Sequence, residues 1–378
     1  MSKARLFLGT LATLCVIFSV TPIRHPNEVF ASSAPAAGFV RSATPMLEPR
    51  SSHTATLLLD GRVLIAGGMR RNQDFYRSAE LYDPAIGKFT PTGSMAIARV
   101  GHIAVRLHDG KVLVAGGWIG HACTDSAELY DPVTGKFSVI GKMTVARGHA
   151  SATLLPDGDV LITGGAEHDT PGGIASAEIF RPADSKFTAL APMHVGRISQ
   201  TSTLLPDGRV LLAGGRGDGA GVTASAEIYD PATGKFSLTG NMITPRYKHS
   251  AGMLLDGRVL IAGGSDDRDW HGALASAEIY DPRTGKFTVA ASLNDSRFKL
   301  PSAAVQLASG DVLIAGGSKS VEVYDPVANK FLLAAGQLDE PRHFMTETQL
   351  PNGSVLLAGG YPDNDQTTAA TWLYQPQP

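Results

Sequence analysis

The hydrophobic pattern of the chain is dominated by one apolar segment that ends in two glycines and recurs seven times. The copies are RVLIAGG (62–68), KVLVAGG (111–117), DVLITGG (159–165), RVLLAGG (209–215), RVLIAGG (258–264), DVLIAGG (311–317) and SVLLAGG (354–360). Each copy is apolar at nearly every position instead of alternating, which is typical of a strand whose sheet is covered on both faces. The pattern predicts seven similar strands, each buried between two neighbouring layers.

The residues around each copy complete a unit of four short strands. In the first unit HTATLLL precedes the Asp60–Gly61 turn, and a variable loop, AELYDP and a strand beginning KFTPTG follow RVLIAGG. Asp-Gly, and its replacements Ser309–Gly310 and Asn352–Gly353, suit two-residue hairpins because both residues tolerate positive φ. No segment has helical periodicity. The first glycines of successive pairs are 49, 48, 50, 49, 53 and 43 residues apart, a period in the range of four-stranded propeller blades.

The two ends of the chain predict how the ring of repeats closes. The last unit stops at TWLYQPQP without a GKF strand, whereas GFVRSATPM (38–46) precedes the first unit and matches KFTPTGSM (88–95). We therefore expect the N-terminal strand to complete the seventh blade. Such closure removes the two open sheet edges that a cut ring would present.

The Gly-Gly ending of the second strand, the Tyr of ELYDP and the aromatic of GKF together resemble the kelch repeat. The resemblance covers residues 36 to 378, although the final aromatic is Phe where the family usually has Trp. It implies an all-β, seven-bladed kelch propeller with four antiparallel strands per blade, similar to the central domain of galactose oxidase. The fold alone does not determine a function.

The first 31 residues have the layout of a secretory signal. Lys3 and Arg5 precede an apolar run from Leu6 to Val20, and VFA at 29–31 offers a cleavage site. The run is shorter than a membrane span requires. We expect a signal peptide over 1–31, a linker over 32–37 and the propeller over 38–378, in a secreted or periplasmic protein. An uncleaved anchor is the alternative; lipid attachment at Cys15 is disfavoured by the bulky Leu14.

Charge and cysteine content exclude several classes of function. The chain has 33 Lys and Arg against 35 Asp and Glu; losing Lys3, Arg5, Arg24 and Glu28 with the signal leaves a formal charge of −4. This balance provides no basic stripe for nucleic acid. Cys123 is then the only cysteine, so no internal disulfide forms, and core packing must stabilise the protein. We expect a monomer with no membrane span after signal removal.

Function should lie where the repeats differ, which is in the loops after each Gly-Gly. These loops share one face of the propeller with the segments that lead into each first strand, and they differ in length and chemistry. Variable loops on a rigid scaffold are where binding usually resides. The loops span residues 69–77, 118–125, 166–174, 216–222, 265–274, 318–320 and 361–368.

A cation recurs on the same face, 17 residues before the first glycine of each pair. In kelch domains that capture acidic peptides, arginines at the start of the innermost strand contact the ligand, and the resemblance implies that role here. Arginine suits carboxylates because it can bind them with two parallel hydrogen bonds. We call these residues the cation ring: Arg50, Arg99, Arg147, Arg197, Arg246, Lys299 and Arg342.

A structural explanation of the cation ring is favoured over the binding one. A glutamate also recurs, near the start of the third strand, on the same face. One ion pair per blade would use both series. The seventh blade has Trp372 at the glutamate position, so we expect Arg342 or its neighbour Arg50 to lack a partner and to be available to a ligand. The glutamates are Glu80, Glu128, Glu178, Glu227, Glu278 and Glu322.

Other side chains on this face are weaker candidates. Trp118, Trp270 and Tyr361 suit stacking on a sugar or anchoring a protein, or merely cover blade edges. His53, His102 and His249 share one repeat position, where a structural hydrogen bond is favoured over metal ligation. Loop acids at 266, 267, 269, 363 and 365 could bind calcium, but we favour solvated turns. No metal or cofactor is expected.

The sequence favours an interaction module over an enzyme. We expect a protein or carbohydrate ligand, with acidic ligands suited to the cation ring. The alternative is a sugar-directed enzyme. Resemblance to sialic acid epimerases implies charged residues on the axis that hold a carboxylated sugar, but no acid or base can be named. A galactose-oxidase-like copper enzyme is less favoured, because Cys123 is the only possible thioether sulfur and because those oxidases use a further domain after the propeller, which we do not expect here.

Overall fold

The computed structural model describes residues 37–71, 74–168, 172–217, 219, 221–300, 304–363 and 366–377. They belong to one compact unit, residues 36–378. The predicted signal peptide lies outside the described residues. No helix in the described ranges is long and apolar enough to cross a membrane.

The described residues form seven antiparallel four-stranded sheets, which confirms the predicted seven-bladed propeller. Blades 1 to 4, from the innermost strand outward, comprise Thr54–Leu57, Val63–Ala66, Ala79–Asp83 and Lys88–Pro91; Ile103–Arg106, Val112–Ala115, Ser126–Asp131 and Lys136–Lys142; Ser151–Leu154, Val160–Thr163, Ala177–Arg181 and Lys186–Ala189; Thr201–Leu204, Val210–Ala213, Ala226–Asp230 and Lys235–Leu238. Blades 5 to 7 comprise Ser250–Met253, Val259–Ala262, Ala277–Asp281 and Lys286–Val289; Val305–Gln306, Val312–Ile314, Glu322–Asp325 and Lys330–Leu333; Thr346–Gln349, Val355–Ala358, Thr371–Gln375 and Phe39–Ser42.

Three smaller elements lie in the variable loops. Two-stranded ribbons occur in the loops of blade 1 (Met69–Arg71 with Asp74–Phe75) and blade 4 (Arg216–Gly217 with Gly221–Val222). A 3-10 helix, Asp269–His271, lies in the loop of blade 5. It is the one helix within the described ranges.

The core consists of apolar clusters between neighbouring blades. Val63 and Ile65 of the second strand pack toward blade 7, whereas Leu64 and Ala66 pack toward blade 2. All four side chains are fully buried, because successive residues of a strand face opposite sides of its sheet. This explains why the second strands are apolar at every position.

A pair of aromatic rings joins the third and fourth strands in six blades. Tyr82 lies directly opposite Phe89, with ring centroids 4.8 Å apart. In blade 7 the corresponding partner of Tyr374 is Val40, which comes from the N-terminal strand. Phe39–Ser42 pairs with Thr371–Gln375, so the predicted closure is confirmed. The ring is held shut by hydrogen bonds between the first and last described strands.

The turn between the first two strands differs from the predicted two-residue hairpin. The first strand of blade 1 ends at Leu57 and the second begins at Val63. Gly61 N donates to Leu58 O, and Leu58 N donates to Arg62 O. Only Gly61 has positive φ, at 87°, whereas Asp60 accepts the Arg62 N–H through its side chain. The loop is therefore longer, and its aspartate stabilises the turn by a hydrogen bond.

Candidate functional site

The arginines of the cation ring are buried structural groups. Arg99 is fully buried, and its Nη1 donates to Gly116 O at 2.7 Å and Ser126 O at 3.1 Å. Its Nη2 contacts Glu128 at 2.8 Å, and the other carboxylate oxygen of Glu128 accepts the Ala96 N–H. Burial lowers the pKa of Arg99, and the Glu128 carboxylate opposes that effect. The side chains thus tie the loop-face ends of the strands together within a blade.

The same ion pair occurs in six blades, as the structural explanation predicted. The pairs are Arg50–Glu80 at 3.0 Å, Arg99–Glu128 at 2.8 Å, Arg147–Glu178 at 2.9 Å, Arg197–Glu227 at 2.8 Å, Arg246–Glu278 at 2.9 Å and Arg297–Glu322.

The predicted cation ring is wrong at blade 6, where the residue in the ring position is Arg297 and not Lys299. Arg297 donates to Gly316 O and Ser320 O and pairs with Glu322. It lies 19 residues before Gly316, whereas the spacing in blade 1 is 17. Two extra residues before the first strand of blade 6 shift the count, so a fixed spacing selected the wrong cation.

The prediction that Arg342 or Arg50 lacks a partner is also wrong. Arg342 contacts Asp339 at 2.7 Å and lies over the ring of Trp372, 5.7 Å from its centroid. Arg50 contacts both Glu80 and Glu48. Trp372 therefore replaces the missing glutamate by packing against the guanidinium, and an acid from the preceding loop supplies the charge.

A second ring, two residues after each arginine, surrounds the axis itself. We call it the mouth ring; its members are Ser52, Gly101, His149, Ser199, Lys248, Lys299 and Phe344, and all have φ between 49° and 60°. Backbone hydrogen bonds link each member to the member in the preceding blade: Gly101 N donates to Ser52 O, and His149 N donates to Gly101 O. In blade 6 the donor is Leu300 N instead of Lys299 N. Positive φ is uncommon for residues other than glycine, so the hydrogen-bonded circle holds these side chains in fixed positions.

The mouth ring opens into an axial cavity of about 390 Å³. His53, His102 and His249 each hydrogen-bond a threonine of the preceding blade's first strand, at 3.0 to 3.1 Å. This confirms the structural hydrogen bond expected for that position. Burial, aided by Arg50, lowers the pKa of His53 to about 3, so the ring is neutral at physiological pH.

Two rings approach each other across the mouth. His149 of blade 3 and Phe344 of blade 7 stack with centroids 5.8 Å apart. Burial, with a contribution from Lys248, lowers the pKa of His149 to about 4. The mouth is thus narrowed by an aromatic pair whose histidine is uncharged at neutral pH.

The blade 5–7 sector gathers two of the predicted aromatics around a lysine. The Nζ of Lys299 lies 3.4 Å from the ring centroid of Trp270 and donates to the Tyr361 hydroxyl at 3.0 Å. Trp270 also meets Phe298 and His343 edge-on, at 5.2 and 5.0 Å. We call these five residues the Trp270 cluster. The loop of blade 6 has only three residues, which lets the blade 5 loop reach His343 of blade 7.

Asp269 fixes this loop to the mouth ring. It accepts hydrogen bonds from Lys248 Nζ at 2.8 Å and from the Tyr247 hydroxyl at 2.5 Å. Burial lowers the pKa of Lys248 and raises that of Tyr247, and the Asp269 carboxylate opposes the first shift and adds to the second. Trp270, next in sequence, remains 41% exposed. The loop therefore presents an accessible indole on a rigid base.

Trp118 lies apart from the Trp270 cluster. Its indole covers Gly148, where an added Cβ would come within 2.4 Å of Trp118 Nε1. Its backbone pairs with Val100. Of the predicted aromatics, Trp270 and Tyr361 share one site, and Trp118 packs on blade 3.

The loop acids and Cys123 are engaged by protein donors and acceptors. Asp266 pairs with Arg268, Asp267 accepts the Val222 N–H, and Asp363 contacts His343. Residue 365 lies outside the described residues. Cys123 is buried and its Sγ donates to Ala166 O. Within the described ranges, no group of three or more His, Cys, Asp or Glu is placed to hold a metal.

Glu347 is a cavity residue that the sequence did not reveal. It lies on the first strand of blade 7 and lines the axial cavity. One carboxyl oxygen accepts the Ala315 N–H at 2.8 Å, and the other, Oε2, is buried without a hydrogen-bond partner among the described residues. Burial raises the pKa of Glu347 to about 8, although the Ala315 hydrogen bond and Arg297 oppose the shift. Because the glutamate occurs at this repeat position in one blade only, it left no periodic pattern in the sequence.

Comparison with known proteins agrees with this architecture. The Kelch motif family matches residues 99–144 and 246–294, which are the second and fifth blades, each counted from its ring arginine. A solved structure of a fungal alcohol oxidase of the AA5 family, in complex with copper, superposes with a TM-score of 0.72 at 17% identity, covering 90% of this chain and 76% of that chain. No curated protein sequence matches the chain.

These features define the class of protein as a seven-bladed β-propeller. Two of its blades match the Kelch motif, and its fold is similar to that of the AA5 oxidase. The likeness to the oxidase concerns the fold alone, because the two sequences are only 17% identical.

Proposed function

We propose that this protein is an exported interaction module that binds an acidic protein or glycan ligand on its loop face, at the blade 5–7 sector. Kelch propellers generally serve as protein-interaction modules, which supports the class. The choice of this sector rests on the Trp270 cluster. In this cluster an accessible indole on the loop face is held by a buried lysine and by two rings that it meets edge-on.

Trp270 has the properties of a binding anchor. Its indole is 41% exposed, and its position is fixed before any ligand arrives, so binding orders little additional structure. Tryptophan is enriched among residues that dominate interface energies. Lys248, 17% exposed, pairs with Asp269 and so holds the loop that carries the indole. The arginines of the cation ring are buried within blades, so the proposal does not rely on them.

The proposal is tested by a binding array of acidic peptides and glycans, followed by titration of the selected ligand. We expect Trp270→Ala to weaken binding at least tenfold and Leu59→Ala to leave it unchanged. Leu59 is a matched control because it is 67% exposed on the opposite, short-turn face. Equal affinity of both variants would reject the loop-face site.

The alternative, a sugar-directed enzyme, has a distinct readout. Turnover of a carboxylated sugar by the purified protein, lost in a variant of the axial cavity and retained in Trp270→Ala, would place the function in the enzyme class. Binding without turnover supports the interaction module.

A further inference from the structure

We propose that the exposed face of Trp270 binds an uncharged sugar ring, and that Asp363 and Asp269 accept hydrogen bonds from the hydroxyl groups of that sugar. This assignment rests on the loop-face site proposed above, whose ligand it narrows to a glycan with a neutral pyranose unit. Three properties of the site support it: the covered inner face of the indole, two accessible carboxylates beside it, and the position of the nearby charges.

The indole of Trp270 has one face covered and one face open. Lys299 Nζ lies against the inner face, 3.4 Å from the ring centroid, and the rings of Phe298 and His343 meet the indole at interplanar angles of 82° and 84°. Trp270 is nevertheless 41% exposed, so the side turned away from Lys299 is open to solvent. A flat apolar surface held in place suits the C–H face of a pyranose ring, which loses little water-bound polar surface there.

Asp363 of blade 7 is brought to this indole by His343. The Nε2 atom of His343 lies 3.0 Å from Asp363 Oδ1, and the centroid of the same imidazole lies 5.0 Å from that of Trp270. The side chain of Asp363 is 77% exposed, and its contact uses Oδ1. Oδ2 accepts no hydrogen bond from a described residue. A carboxylate oxygen that a ligand can reach therefore lies one imidazole ring away from the indole.

Asp269 supplies a second carboxylate, directly before Trp270 in the chain. Its hydrogen bonds from Lys248 and Tyr247 both end on Oδ1, whereas the side chain is 35% exposed. Although burial opposes the shift, the hydrogen bonds from Lys248 and Tyr247 lower the pKa of Asp269, so the group is ionised at neutral pH. Hydrogen bonds from a hydroxyl to an ionised carboxylate are charge-assisted, and one carboxylate can accept several.

The charges around the indole favour a neutral ligand over a charged one. A cation stacked on the open face would share the indole with the Lys299 ammonium, which is 5% exposed and therefore poorly screened, and would be repelled by it. An anionic group would approach the carboxylates of Asp363 and Asp269. A sugar ring meets neither obstacle, because its C–H groups contact the indole and its hydroxyl groups donate to the carboxylates.

The experiment is a fluorine NMR titration of the full chain labelled with 5-fluorotryptophan. The chain has three tryptophans, Trp118, Trp270 and Trp372. The Trp270 signal is assigned by its loss in Trp270→Ala, in which unchanged Trp118 and Trp372 signals show that the propeller is folded. The probes are the methyl glycosides of glucose, galactose and mannose, with methyl glucuronide and tetramethylammonium as charged probes. We expect at least one neutral glycoside to shift the Trp270 signal and to leave the other two in place.

A pair of matched variants separates the carboxylate contact from a general change of charge. Asp363→Asn should weaken binding of the neutral glycoside about fivefold, because it replaces a charge-assisted acceptor by a neutral one. Asp207→Asn is the control, since Asp207 is 48% exposed on the opposite, short-turn face, and it should bind like the parent. Methyl glucuronide should bind more weakly than the matching glucoside, and tetramethylammonium should leave the Trp270 signal unmoved.

The proposal is overturned if none of the neutral glycosides shifts the Trp270 signal, if Asp363→Asn and Asp207→Asn bind equally well, or if either charged probe binds as tightly as the glycosides. Its failure is distinct from that of the loop-face site. A peptide from the array that needs Trp270, combined with no response to glycosides, would keep the loop-face site and reject the sugar. Parent-like binding of the array ligand by Trp270→Ala would reject the loop-face site itself.

Discussion

Trp270 of blade 5 lies face-on over Lys299 of blade 6, with the ammonium 3.4 Å from the indole centroid. Lys299 is 5% exposed, and its ammonium also donates to Tyr361 of blade 7. Three blades are therefore joined by one cation at the loop face. Since a desolvated cation–π contact contributes about 2 kcal/mol, this group makes the sector rigid as well as chemically distinct from the rest of the mouth.

The ion pairs between strands predict which arginines matter for stability. Arg297→Ala should lower the free energy of unfolding by about 3 kcal/mol, because it leaves the fully buried Glu322 without its cation. Arg342→Ala should cost much less, since its partner Asp339 is 52% exposed and can be hydrated. Urea denaturation measures both. Equal losses would mean that Arg297 is not the member of the series in blade 6.

Closure by the N-terminal strand predicts the effect of a deletion. In the full chain Thr371–Gln375 pairs with Phe39–Ser42. Removing residues 38–46 therefore exposes the edge of Thr371–Gln375. We expect a lower melting temperature and concentration-dependent association, because unpaired edges recruit other strands. Size-exclusion chromatography with light scattering measures this. A deletion variant that stays monomeric and melts like the parent would show that the closing strand is dispensable.

Glu347 predicts a specific pH dependence of stability. Its pKa rises from 4.5 to about 8 on folding, so the native state holds a proton that the unfolded state releases above pH 4.5. Stability should therefore fall as pH rises from about 5 to 8, by up to about 1.4 kcal/mol per pH unit. Glu347→Gln removes this slope, so its advantage over the parent should grow with pH. A pH-independent difference would contradict the raised pKa.

The N-terminal sequence predicts processing during export. Protein recovered from its native host should begin near Ser32, because a basic start and a short apolar run precede VFA at 29–31. Mass spectrometry of the intact protein measures the first residue. Detection of Met1 on the mature chain would contradict cleavage.

The sequence predicted those features that repeat. Apolar second strands, the Arg–Glu pairs and the closing strand each depend on local patterns copied in every blade, so their spacing carried the information. In blade 6 the ring cation was wrongly predicted to be Lys299, because two extra residues lengthen the spacing between the ring position and the Gly-Gly pair.

The features missed are those that occur once. Glu347 of blade 7 contacts Ala315 in the preceding blade, and His149 meets Phe344 across the axis. Neither contact has a counterpart in the other blades among the described residues. No periodic signal could indicate them, because each occurs once in the ring.

The most direct test of the central claim is hydrogen exchange of the propeller with and without the peptide or glycan selected by the array. The account predicts slowed amide exchange in residues 265–274, 298–300 and 342–345, and no change in the short turns of the opposite face, such as 58–62. Protection confined to the short-turn face, or absent from 265–274, would contradict binding at the blade 5–7 sector.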